Sequence, residues 1–334
     1  TVVGNMTISG GKVDVTSANQ IADTSSITIT SGSLDFSTVA DTINSVTMSG
    51  GTLRKTGSSG ELLLKAASSF TGGTVNFASN NAKITTNATT TLGNVTFDFS
   101  QASGTSGQGL SLGGDIVVNA NTTANLTNSG GGLGRIDLNA ANRTIDVGTG
   151  ATMNVGWNIA GTSVGITKNG SGSLVLTANS TYTGGTTLSA GTLATTGDER
   201  IADVSAVSVS LGATLQLGGV ETIQTITSAG IITLPNAGSN LVAGSGANYT
   251  LGGTISGLGT FTKVGAGNIT FSATGVYSYT GGTTVDAGAL VYAASNHLVN
   301  TAPVTVNGGE LRLTAFSDTV GAVKLTGGAI TGTT

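Results

Sequence analysis

The sequence has no cysteine, two prolines, one histidine and one tryptophan, and only 8% of its residues are charged. Each scarcity removes a class of explanation. Without cysteine there is neither a disulfide framework nor a thiolate metal site; the absence is neutral about compartment, although it suits a chain that crosses an oxidising space. Twelve Lys and Arg, scattered and outnumbered by sixteen Asp and Glu, give a net charge of −4. That argues against nucleic acid, whose counterions are displaced by clustered cations. No apolar run reaches the about 18 residues of a membrane helix, so this segment is not expected to insert into a membrane. No G-x-G-x-x-G phosphate loop occurs.

Glycine is abundant, at 54 of 334 residues, and Val, Ile, Leu and Thr recur at strand spacing between glycine turns. Helix-forming Lys, Glu and Arg are scarce, so the composition favours sheet. A long repeat is visible. Gly172 to Leu176, then Tyr182-Thr183-Gly184-Gly185-Thr186-Thr187-Leu188 and Ala190-Gly191, returns as Gly267 to Phe271, then Tyr279-Thr280-Gly281-Gly282-Thr283-Thr284-Val285 and Ala287-Gly288. Phe70-Thr71-Gly72-Gly73 marks a diverged copy, and Lys55, Lys168 and Lys263 each precede one. A second set of matches relates Ile21-Ala22-Asp23 to Ile201-Ala202-Asp203, and aligns residues 21 to 54 on 298 to 331 without gaps. Units of short strands and turns must stack to bury one another's faces, which predicts an all-β parallel β-helix, a single solenoid of three-strand coils with roughly 24 residues per turn. The expected organisation is one continuous β-helix over 1–334. It comprises a first repeat region at 1–75, degenerate coils at 76–165 with a loop near 101–109, and two well-kept repeats at 166–334. Both ends break off within the repeat, so an excerpt of a longer solenoid, or a unit that stacks coil on coil, is expected.

These segments resemble the autotransporter-associated β-strand repeat of bacterial autotransporter passenger domains. The match runs from Ile166-Thr167-Lys168 through Leu193 and from Phe261-Thr262-Lys263 through Leu290, with Leu53-Arg54-Lys55 through Val75 as a weaker copy. The resemblance implies a right-handed parallel β-helix exported through the outer membrane of a Gram-negative bacterium and displayed or released outside. It implies no particular activity.

Candidate chemistry is sparse. His297 reads as a solvated corner, since no activated Ser and orienting acid accompany it. Trp157 reads as a wide core or corner residue rather than a sugar platform. Asp115, Asp137 and Asp146 lie in neighbouring strands, but nothing in the sequence pairs them as the two carboxylates of a glycosidase, and they read as solubilising charges. Gly131 to Asp137 misses the calcium nonapeptide pattern, with Ile136 where Asp is needed. No catalytic, cofactor or metal residue is therefore assigned, and no cofactor is expected. Two function classes remain: a non-enzymatic structural or adhesive surface protein, favoured, and a secreted β-helical polysaccharide lyase or glycoside hydrolase. Expected partners are a host or neighbouring cell surface, a glycan, or further copies packed end to end or side by side.

Two structural expectations follow from the repeat. Phe70, Tyr182 and Tyr279 should occupy equivalent corners, with the Tyr hydroxyls reaching water. Lys55, Lys168 and Lys263 should lie along the surface with their ammonium groups solvated.

Overall fold

The computed structural model describes residues 1–37, 39–56, 60–79, 81–100 and 106–333. Among these there is no helix, and every strand pairing is parallel; the chain is a parallel β-solenoid that divides into two units, Thr1–Thr183 and Gly184–Thr334. No helix is long and apolar enough to cross a membrane.

In the first unit the chain visits three ladders in rotation. Ser45–Met48 and Thr52–Lys55 pair with the two halves of Ser68–Phe77, which pairs in turn with Thr90–Phe99. The intervening Glu61–Leu64 joins a separate ladder with Asp41–Ile43, Lys83–Thr86, Ser106–Leu112, Leu133–Asp137 and Asn158–Ala160. Alternation along each strand sends every second residue inward, and parallel register stacks those residues in columns. Ile8, Ile29, Met48, Phe70, Leu92, Val118 and Val147 form one such column, all buried. Leu34, Leu53, Val75, Phe97, Leu126, Val155 and Leu176 form another. Ser106–Leu112 is strand, pairing with both Lys83–Thr86 and Leu133–Asp137, so the loop expected near 101–109 is replaced by sheet over its last residues. The register shift between Ser106 and Gly109 absorbs the irregular sequence there, and 101–105 lie outside the described residues.

The second unit is built the same way. Val220–Ile223, Asn240–Ala243, Thr260–Lys263, Thr283–Val285, Val304–Val306 and Val323–Leu325 make one ladder, and Tyr249–Leu251 through Ala329–Thr331 make another. Stacked partners are not evenly spaced along the sequence: Val207 pairs with Ile226, 19 residues on, whereas in the first unit Ile116 pairs with Ile145, 29 on.

Uneven turns put the sequence repeat out of phase with the ladders, which corrects the expectation of equivalent corners. In the first unit Phe70 sits in a strand paired to Ser45–Met48 and Thr90–Phe99, inside the column just described. Tyr182 instead lies over the ladder of Asn158–Ala160, where Thr181 N–H donates to Ile159 C=O and Thr183 N–H to Gly161 C=O. Both rings are buried, as an aromatic needs in order to contribute its area, but on different ladders. In the second unit Tyr279 is 1% exposed and its hydroxyl bonds Thr283 Oγ1 at 2.6 Å rather than reaching water.

Candidate functional site

Lys55, Lys168 and Lys263 are not on the surface: each is at most 1% exposed. The alternation that buries Ile166 also turns Lys168 inward, where it stacks on Ile145. Lys55 stands between Phe36 and Phe77, and Lys263 between Ala243 and Val285. At Lys168 and Lys263 the stem fills its place in the column and the ammonium bends back into the following turn. Lys168 Nζ donates to the carbonyls of Asn169 and Gly170, both at 2.7 Å. Lys263 Nζ donates to those of Val264 (2.6 Å) and Gly265 (2.8 Å), and to Ala287 (2.9 Å) one coil on. Gly170 and Gly265 have φ of 70° and 69°, the left-handed turn that brings those carbonyls round to the ammonium. Lys55 Nζ reaches Ser37 C=O. Burial lowers the Lys168 and Lys263 ammonium pKa to about 8; at Lys168 the nearby Asp146 pulls the other way. Lys168 and Lys263 are turn clamps, and the Lys-x-Gly spacing after an alternating strand is their sequence signal.

The second repeat family carries an acid instead, buried at Asp41 and Glu221 and half-buried at Asp318. Asp41 Oδ2 accepts Ile21 N–H, Glu221 Oε1 accepts Ile201 N–H at 2.6 Å, and Asp318 Oδ2 accepts Leu298 N–H at 3.0 Å; each acid lies 20 residues beyond the amide it holds. In each case the acid reaches across a turn to a backbone donor, which would cost about 1–3 kcal/mol if left buried and unpaired. Burial raises the pKa of Glu221 to about 8 and that of Asp41 above the usual carboxylate value.

His297 is buried, not solvated, because aromatic rings enclose it. Its Nε2 accepts Ala294 N–H at 3.1 Å, and Phe271, Tyr277 and Tyr292 meet it edge to face at 5.2 to 6.3 Å between centroids. Burial lowers its pKa, against smaller opposing effects of Asp318 and the Phe271 backbone. Trp157 is core: it packs on Phe77 at 5.4 Å and donates Nε1–H to Thr127 C=O at 2.8 Å.

The three aspartates are not brought together. Asp115 Oδ1 accepts Thr144 N–H, Asp146 Oδ2 accepts from Asn169, and Asp137 lies on another ladder in an ion pair with Arg135 at 2.8 Å. Asp137 does border a polar groove of about 420 Å³, lined also by Arg135, Asn139, Asn158, Ala160 and Thr181. Among the described residues no three His, Asp or Glu side chains group as metal ligands.

Residues 166–194 and 261–291, the segments that hold the clamps Lys168 and Lys263, match the passenger-associated-transport-repeat. Over 203 residues the chain is 34% identical to the adhesin BmaC autotransporter of Brucella suis biovar 1 (strain 1330), an alignment covering 55% of this chain and 6% of that protein. The chain therefore corresponds to a small part of that relative's length. No solved structure matches it. The chain thus carries the passenger-associated-transport repeat twice, on a parallel β-solenoid.

Proposed function

We propose that the chain is an extracellular or cell-surface passenger segment of a Gram-negative bacterium, and that it works as an adhesive element without enzymatic chemistry. The observation that carries this reading is the likeness to a protein named as an autotransporter adhesin, together with passenger repeats at 166–194 and 261–291. The physical character of the chain supports it. A column-packed solenoid presents long rows of outward Thr, Ser and Asn side chains, such as Thr262, Thr284 and Thr305 on successive strands, and so offers an extended polar contact face. The titratable side chains with displaced pKa values are occupied in holding turns, as Lys168, Lys263 and Glu221 show. The secreted lyase or hydrolase reading lacks such support: Asp115 and Asp146 are bound into neighbouring coils, and Asp137 is paired with Arg135. The surface contacted is a host or neighbouring cell, and packing of copies side by side or end to end would extend the contact area.

Antibody raised against the 334-residue chain should label intact, unpermeabilised cells, and the purified chain should compete with those cells for attachment to a host-cell layer. Labelling that requires permeabilisation, or attachment indifferent to saturating purified chain, would overturn the proposal.

A further inference from the structure

The groove beside Asp137 is built on a strand end with little side chain to fill it. After Asn158 the strand ends in Ala160 and Gly161, leaving a recess of about 420 Å³. The recess floor is fixed. A Cβ at Gly161 would collide with Val164 and crowd Leu138, so this position admits no larger residue without repacking.

The polar groups on its rim are held from behind. Asn158 Nδ2 donates to Asn179 C=O at 2.7 Å, while its Oδ1 accepts from Thr181 at 3.1 Å. Asn139 Nδ2 donates to Leu112 C=O at 2.8 Å, and its Oδ1 accepts from Ser111 at 3.0 Å. Each amide is thus locked in plane, with one hydrogen and one lone pair left over. Asp137 takes Arg135 Nη2 on one oxygen and Asn139 N–H on the other, and both charged side chains remain about one-third exposed. Fixed donor and acceptor pairs of this kind need no reorganisation to bind, which is how a pocket this polar gains affinity.

Charge decides the ligand class. Arg135 and Asp137 neutralise each other, and the remaining rim is amide and hydroxyl, so neither an anion nor a cation finds an unspent counter-charge. Adjacent hydroxyl groups on a ring, each donating and accepting, match the planar amides and the Arg–Asp pair, and the flat Ala160-Gly161 floor suits the C–H face of a sugar. We propose that this groove is a binding site for a neutral saccharide, one or two pyranose rings long, and that it supplies part of the contact through which the passenger adheres. The last clause rests on the adhesive reading; the binding itself does not. With no aromatic platform in the recess, affinity falls on the order of 1 mM.

The test is titration of the ¹⁵N-labelled 334-residue chain with methyl β-glucopyranoside, lactose and cellobiose, and separately with glucuronate, read by amide shifts. Saturable shifts confined to residues around 135–140 and 158–162 are expected with at least one neutral sugar. They should weaken at least tenfold in Arg135→Gln and in Thr162→Trp, the second an exposed rim position where a bulky ring fills the recess while leaving the core intact. No saturable shift with any of the three neutral sugars, shifts insensitive to both variants, or tighter binding of glucuronate would overturn the site. Attachment of displaying cells, measured alongside, separates the two proposals. Attachment that persists without sugar binding sinks the groove and leaves the adhesive reading standing, and sugar binding without attachment does the reverse.

Discussion

A lysine inside an apolar column is held there by geometry rather than by favourable solvation. Three N–H groups of Lys263 meet three carbonyls at 2.6 to 2.9 Å, yet burial still lowers its pKa to about 8, so the lost hydration outweighs those bonds for the charged form. What the clamp provides is a defined turn. Lys263→Met keeps the stem volume, removes the desolvation cost and leaves the Val264, Gly265 and Ala287 carbonyls short of a donor; the denaturant midpoint should fall below the native value near pH 10, where the native amine is neutral and still donates, and the difference should be smaller at pH 7. Glu221 behaves in the opposite sense with pH. Its raised pKa means the folded chain keeps a proton that the unfolded chain has lost, so its contribution is complete below about pH 4.5 and fades as pH rises through about 8. Glu221→Gln should abolish that part of the slope, which a comparison of midpoints at pH 5 and pH 8 will show. His297 adds an acid limit. Its Nε2 must stay unprotonated to accept Ala294 N–H, and its pKa is lowered by burial, so its contribution is present above about pH 6.5 and lost as pH falls through the lowered value. Hydrogen exchange at residues 294–298 should therefore accelerate on acidification in the native chain and be pH-insensitive, after correction for intrinsic rates, in His297→Gln.

At the scale of the strand, glycine makes room for the one tryptophan. A Cβ at Gly134 would lie 2.5 Å from Trp157 Cε2 and Nε1, so Gly134→Ala should cost about 1–3 kcal/mol, and Trp157→Phe in the same chain should recover part of the loss. Unfolding midpoints of the two single variants and the double variant check this coupling directly. The strands themselves were legible in the sequence, because inward Leu, Ile and Val alternate with outward Thr and Ser between glycine turns. The repeat was legible too, but not where each copy would land. Turn length varies from coil to coil, so Phe70 and Tyr182 fall on different ladders although their neighbours in sequence match. Lys168 was misplaced for a different reason: charge was given more weight than alternation, although Ile166-x-Lys168 already put both side chains on the inner face. His297 was missed because the rings that enclose it come from Phe271, Tyr277 and Tyr292, on strands the sequence does not place together. The groove at Arg135 left no sequence signal apart from a short Ala-Gly step, since a recess is defined by what neighbouring coils fail to cover.

For the molecule as a whole, the chain has no cysteine with which to cross-link its coils, and buried Lys168, Lys263 and Glu221 tie its turns by hydrogen bonds. The two segments that match passenger repeats are those in which a buried lysine ties its own turn, and for Lys263 the next coil as well. The interior position of these lysines is therefore what ties the repeat to its turns. The most direct measurement is the unfolding midpoint of the intact chain between pH 8 and pH 10, compared with a Lys168→Met, Lys263→Met double variant. Lysines whose pKa is lowered to about 8 bind fewer protons folded than unfolded across this interval, so stability rises with pH. Tyr249, Tyr277, Tyr279 and Tyr292, all raised by burial, keep their protons in the folded chain and oppose the rise as pH approaches 10, while Lys55, also lowered by burial, adds to it; these groups act alike in the native chain and the double variant. The native midpoint, taken relative to that of the double variant at the same pH, should climb from pH 8 to pH 10. A native-minus-variant difference that is flat or falls across that interval, as solvated lysines would give, would contradict the burial of these two lysines.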